Sequence, residues 1–220
     1  MISLIHPSRG RPVKSFHNSL EWITKAGADT ELIVAVDMDD PSLEEYVNQY
    51  NWWRDRDTQR ITLVKGYHNS VVHATNMPAI QSRGDVLLYL SDDFKCYNGW
   101  GNDVNVEMSK YKDRPALIKV DDMLQGYHVQ VLTIPIMNRQ LYNKLGYFWH
   151  PGYKSMFCDE HLYHRTKHLG ALYFAPEIKF EHQHVSVGKA NDDETYRRSS
   201  ANWNQGKELF SKHRLAGFIV

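Results

Sequence analysis

Two hydrophobic patterns alternate along the chain. Apolar runs bounded by turn formers predict strands over residues 2–6, 31–37, 61–65, 86–90, 116–120, 131–137, 171–175 and 179–184. Stretches with helical spacing separate them. Pro12 opens one, with Val13, Phe16, Leu20 and Ile23 on one face. Ser42-Leu43-Glu44-Glu45 reads as a capping box that starts a helix through Trp53. A helix over 70–81 turns Ala74, Met77 and Ile80 inward, with Pro78 as a kink point. Val104, Met108 and Tyr111 mark another helical face, and residues 138–146 form a short capped helix. A last one over 159–169 is closed by Gly170. This β-α-β-α alternation predicts an α/β fold of three α/β/α layers with a mixed, mostly parallel sheet. The pattern lapses after Val185. Residues 186–200 are polar and predict a mobile loop; Trp203 and Phe210, two helical turns apart, predict a terminal helix that docks back. The expected organisation is a body over 1–185 and an appendage over 186–220.

The strand at 86–90 stops at Asp92-Asp93. Two adjacent carboxylates at the end of a buried strand repel each other and resist desolvation. A divalent cation with hard oxygen ligands resolves that conflict. A solvated turn also uses Asp, so both readings stand at this point. Ligands of open α/β sheets sit beyond the carboxyl ends of the strands, where this pair lies.

Charge and composition narrow the classes. Lys and Arg total 26 and Asp and Glu total 26, so no global basic field draws nucleic acid. The two cysteines, Cys96 and Cys158, do not make a disulfide framework, which predicts a reducing compartment. Neither a signal peptide nor an apolar run of membrane-spanning length is present, so the expected address is the cytoplasm, or the host cytoplasm if the source is viral. Six Trp and thirteen Tyr supply rings that can stack on sugars or bases, notably at Trp52-Trp53 and Tyr147-Phe148-Trp149.

Four stretches, in order over 1–185, resemble family 2 glycosyltransferases of the nucleotide-diphosphosugar transferase (GT-A, Rossmann-like) fold. The first is Ile2-Ser3-Leu4-Ile5-His6-Pro7-Ser8-Arg9-Gly10-Arg11, a strand and turn that in the family wrap the nucleotide. The resemblance places Pro7 and Ser8 against the base and either Arg9 or Arg11 against the diphosphate. The second is Val36-Asp37-Met38-Asp39-Asp40, where Asp37 or Asp39 meets base or ribose; Asp40 before Pro41 is ordinary turn chemistry. The third runs from Asn69 through Ala74, Asn76 and Gly84-Asp85 to Ser91-Asp92-Asp93 and is similar to the family's N-x-A-x-N…G-D…D-D-D pattern, with Ser91 in place of the first acid. It implies nucleotide contacts from Asn69 and Asn76, ribose or metal contact from Asp92 and a metal ligand in Asp93. The fourth, Cys158-Asp159-Glu160-His161-Leu162, resembles the family's E-D helix start and implies a catalytic base in Asp159, with Glu160 as the rival. Downstream, Pro176-Glu177-Ile178-Lys179-Phe180-Glu181-His182 resembles the family's P-x-x-x-x-x-H, which implies that His182, or His184 on the same strand face, completes the metal shell.

What the resemblance implies is a metal-dependent transferase that uses Mn or Mg. It moves a sugar from a nucleotide-diphosphosugar, a UDP-sugar by expectation, to an acceptor hydroxyl with inversion. The 186–200 loop would close over the donor. The acceptor is open among a glycan, a lipid-linked sugar, a protein and a hydroxymethylated DNA base of the phage type; neutral net charge counts against DNA. The competing class is a non-catalytic nucleotide-sugar or glycan-binding module on the same fold. Zinc is a further candidate, since His164 and His168 share a helical face and His182 and His184 a strand face. No His-Glu-x-x-His, Walker or Gly-x-Ser-x-Gly motif supports metalloprotease, kinase or hydrolase chemistry.

Overall fold

The structure is a computed structural model that describes residues 1–56, 60–126, 128–184, 188 and 194–219. Its elements run β1 (Ile2–Pro7), α1 (Pro12–Lys25), β2 (Thr30–Asp37), α2 (Leu43–Arg54), β3 (Arg60–Gly66), α3 (Val71–Gln81), β4 (Val86–Tyr89), β5 (Phe94–Lys95) and α4 (Trp100–Ser109). They continue with β6 (Leu117–Asp121), β7 (Ile136–Asn138), α5 (Arg139–Leu145), α6 (Cys158–His168), β8 (Leu172–Lys179), β9 (Glu181–His182), α7 (Glu194–Ser200) and α8 (Trp203–Leu215).

Seven strands form one sheet in the order β3-β2-β1-β4-β7-β6-β8. Only β7 runs antiparallel to its neighbours. Adjacent residues of one strand serve opposite cores. Leu4 packs with Trp22, Trp100 and Phe180 on one face, while Ile5 packs with Val72, Leu162 and Phe148 on the other. Burial on both faces is why these strands read as unbroken apolar runs. The chain moves from β1 outward to β2 and β3, then returns to lay β4 on the other side of β1. This reversal opens a crevice between the carboxyl ends of β1 and β4.

Several local expectations change. Helix α1 buries Ser15, Asn18, Ser19, Trp22 and Ile23 and leaves Val13 49% exposed. Its inward face is partly polar because Ser15 and Ser19 both find the Tyr50 hydroxyl at 2.9 Å. Helix α3 buries Val72, Thr75 and Ala79, while Met77 and Ile80 face solvent. The run at 131–137 contributes Leu132 and Ile134 to the cores but pairs only as β7. Residues 179–184 do not finish the main sheet. After Phe180, β9 pairs antiparallel with β5 as a separate ribbon, in register Phe94 with His182. Of the expected 186–200 loop, 194–200 form helix α7, and the rest apart from Gly188 lies outside the described residues.

Helix α8 packs on the far side of α6. Phe157 meets Trp203 at 4.9 Å and Phe210 at 5.7 Å between ring centroids. Gly206 permits this approach, since a Cβ there would sit 2.4 Å from the Met156 carbonyl oxygen. Among the described residues, no helix is long and apolar enough to cross a membrane.

Candidate active site

The crevice at the β1–β4 switch is lined by Pro7, Ser8, Arg11, Asp37, Asn69 and the Asp92-Asp93 pair, with Lys154, Ser155, Arg198 and Asn202 opposite. Most of the expected nucleotide-facing residues therefore share one cleft. Asp92 and Asp93 are 7% and 6% exposed, which rules out the solvated-turn reading.

Asp92 is held by a buried network. His6 Nε2 donates to Asp92 Oδ1 at 2.8 Å, since a carboxylate only accepts. The other ring nitrogen, Nδ1, meets Ser19 Oγ at 2.8 Å, and Ser19 passes the chain on to Tyr50. Ser8 Oγ donates to Asp92 Oδ2 at 3.0 Å and lies 2.8 Å from the Tyr46 hydroxyl. Arg11 adds an ion pair to Asp92 at 3.7 Å. The polar face of α1 exists to satisfy this network.

Asp37 is fixed in a similar way. Its Oδ1 accepts from the His68 backbone amide at 3.2 Å and faces His68 Nδ1 at 2.9 Å. Its Oδ2 accepts from Arg9 at 2.6 Å. Burial pushes the Asp37 carboxyl up, but His68 and Arg9 outweigh it and leave it below the usual range. Arg9 also binds the exposed Asp39 at 2.6 Å. The guanidinium expected at the diphosphate is thus shared between two carboxylates. Asp39 does not line the cleft. Asn76, expected at the nucleotide, does not line it either. Its Oδ1 accepts from the Phe148 and Trp149 amides at 3.0 and 2.9 Å and its Nδ2 donates to the Trp149 carbonyl at 2.7 Å. An amide side chain matches a backbone in both donor and acceptor, so Asn76 clamps the 148–149 segment.

Asp93 faces the β9 ribbon. Its Oδ2 lies 3.4 Å from His182 Nε2, while His182 Nδ1 lies 4.0 Å from Asp122. The longer contact is electrostatic rather than a hydrogen bond. Burial opposes protonation of His182, yet Asp122 and Asp93 push it up to about 9. Burial also works against the Asp122 carboxylate, but His182, the Gln125 and Leu124 amides and Thr133 bring it down to about 2. Phe94 stacks on the His182 ring at 4.3 Å. The His184 ring is 5.1 Å from that of His182.

Asp159 and Glu160 open helix α6; Ser155, in the preceding turn, lines the cleft, whereas neither carboxylate does. Asp159 Oδ1 accepts from the Glu160 amide at 3.0 Å. Burial holds the Asp159 carboxyl above the ordinary range, and burial with the Asp159 charge does the same to Glu160. Tyr89 lines the cleft: burial raises its hydroxyl, and Asp93, Cys158 and Asp92 reinforce the effect.

Sequence reasoning missed His6, His68, Asp122, Lys154, Arg198 and Asn202. His6 alone carried a signal, because a polar ring inside an apolar strand requires a buried partner. The others come from segments without periodicity.

No protein-family pattern and no curated protein matches this sequence. Solved structures do match it in shape. Residues 1–349 of S. aureus TarS superpose with a TM-score of 0.63 at 12% identity, over 81% of this chain and 59% of that one. Its complex with UDP-GlcNAc gives 0.63 at 12%, over 90% and 64%. The mannosyltransferase PcManGT from Pyrobaculum calidifontis, with GDP-Man and Mn2+, gives 0.64 at 14%, over 82% and 56%. This chain therefore spans less than two thirds of the length of each. The fold is of the glycosyltransferase GT-A type.

Proposed function

We propose that the protein transfers a sugar from a nucleotide-diphosphosugar, UDP-linked, to an acceptor hydroxyl, inverting the anomeric centre in one displacement. The observation that carries this reading is the buried Asp92-Asp93 pair at the switch point, with His182 on Asp93. Asp37 and the carboxyl end of β1 offer acceptors for base and ribose. Arg11, Lys154 and Arg198 on the cleft wall offer positive charge to a diphosphate.

Asp93 and His182 fit a divalent cation. Their donor atoms are 3.4 Å apart, near enough to share one ion. The negative charge of Asp122 and Asp93, which raises His182 to about 9, would favour a metal ion in place of that ring proton, since only the neutral imidazole ligates. Two protein ligands, with His184 close by, leave the remaining positions to phosphate oxygens, the usual habit of Mg and Mn. When bound, such an ion neutralises charge on the departing nucleoside diphosphate. Asp159 is the base. Its raised carboxyl is better matched to taking a hydroxyl proton near neutral pH than an ordinary Asp is. A binding module would have no use for that desolvated acid, which favours the enzyme over the non-catalytic reading.

A panel of nucleotides and nucleotide-sugars, each with and without Mn, tests the proposal by thermal shift and donor hydrolysis. Stabilisation by UDP that depends on Mn is expected. Asp93→Ala should remove the Mn-dependent part and lower transfer by about 10²-fold or more. Full Mn-dependent donor binding and full transfer in Asp93→Ala would refute the metal assignment.

A further inference from the structure

Away from this cleft, three imidazoles converge from three separate segments. His150 follows β7 and α5, His161 lies in α6 and His213 in the last turn of α8. Their donor atoms all lie within 4.8 Å of one another, the one such cluster of three His, Cys, Asp or Glu groups among the described residues. His161 and His213 are 0% and 8% exposed. Ring centroids are 4.8 Å apart for His150–His161, 4.7 Å for His150–His213 and 4.8 Å for His161–His213. We propose that His150, His161 and His213 bind a zinc ion that fastens helix α8 to α6 and to the segment before it.

Three clustered imidazoles are a ready donor set for zinc, which takes nitrogen ligands at about 2.0–2.1 Å in tetrahedral geometry. Closing on one ion requires the donor atoms, now within 4.8 Å of one another, to draw nearer together. The Tyr153 hydroxyl lies 3.0 Å from His213 Nδ1, the kind of outer partner that orients a ligating ring and leaves Nε2 to the metal. The Gly152 amide donates to His150 Nδ1 at 3.1 Å; ligation through Nε2 moves the ring proton to Nδ1 and replaces that contact.

Position gives the ion a consequence. His150 stands just before Lys154 and Ser155 on the cleft wall, and α8 follows Arg198 and Asn202 on the same wall. An ion binding both segments would fix the cleft's outer side. The inference stands apart from the proposed transfer reaction.

The test uses untagged full-length protein, loaded with zinc and desalted. Elemental analysis should give one zinc per chain, retained in Asp93→Ala and lost in His150→Phe, which keeps an aromatic ring without donors. Zinc at about 100-fold above its dissociation constant should raise the melting temperature of wild type by roughly 5–10 °C. Cobalt added to wild type should give the intense visible bands of a four-coordinate site, a measurement that needs no variant. No retained zinc and no such cobalt spectrum overturns the proposal, as does zinc that follows Asp93 rather than His150.

Discussion

Two acidic regions, one in the cleft and one at the start of α6, are built in opposite ways. At the ends of β4 and β2, Asp92 and Asp37 are saturated with donors: His6 and Ser8 on one, His68 and Arg9 on the other. Those donors outweigh burial at Asp37 and hold its carboxyl low. On the α6 side, Asp159 accepts a bond from the neighbouring amide, and burial leaves both it and Glu160 high. A saturated carboxylate contributes to the fold and offers a fixed contact surface. A desolvated one costs stability and keeps its affinity for a proton. Binding and proton transfer call for these different environments, and the fold supplies each on its own element.

Asp159→Asn puts that contrast to its hardest test. Turnover should fall by about 10²–10⁴-fold, and the protein should become more stable at neutral pH. The folded Asp159 pKa lies above its unfolded value, so the folded state binds more protons in between. Stability is therefore lost as pH rises through that window, and Asn removes the loss. Melting curves at neutral pH and below the ordinary Asp range should show the gain in the first and none in the second. If Glu160→Gln behaves this way instead, the base is one residue on.

His6→Ala should do the reverse. The ring is fully buried between Asp92 and Ser19, so its loss leaves a cavity and an under-bonded carboxylate. A cost of about 2–4 kcal/mol in urea unfolding is expected. A cost under about 1 kcal/mol would mean that the network is not what holds Asp92, and the contrast between the two sides would fail.

What could be read from the chain follows the same division. β1, β2 and β4 announce themselves because both faces are buried, and the acids that end them are therefore visible. Asp122 also follows a buried run, β6, but its role beside the cleft is set by β9 folding back on β5, a pairing no periodicity announces; Lys154 follows no run, and its place is set by the loop before α6. Motif residues also divide. Asp92 and Asp93 face the cleft, whereas Asn76 clamps backbone and Gly84 serves close packing, since a Cβ there would sit only 2.6 Å from Ser3 Oγ. A spacing pattern cannot tell a residue kept for chemistry from one kept for geometry.

The capping box at Ser42 gives the smallest predicted effect and separates pattern from contact most sharply. Ser42 has φ −94° and ψ 10° and its side chain caps nothing. The turn is closed by Asp40 instead: Oδ1 accepts from the Ser42 amide at 2.8 Å and Oδ2 from the Gly10 amide at 2.7 Å. Those two bonds tie the turn after β2 to the turn after β1, on the binding side of the cleft. Ser42→Ala should therefore change unfolding free energy by less than about 0.5 kcal/mol, where a working N-cap is typically worth ~1 kcal/mol. Asp40→Ala should cost about 1–3 kcal/mol, because it removes a buried carboxylate that accepts from a part-buried amide in each turn. Equal costs for the two variants would mean that Ser42 caps α2 in solution, and that the binding side owes less to Asp40 than these bonds require.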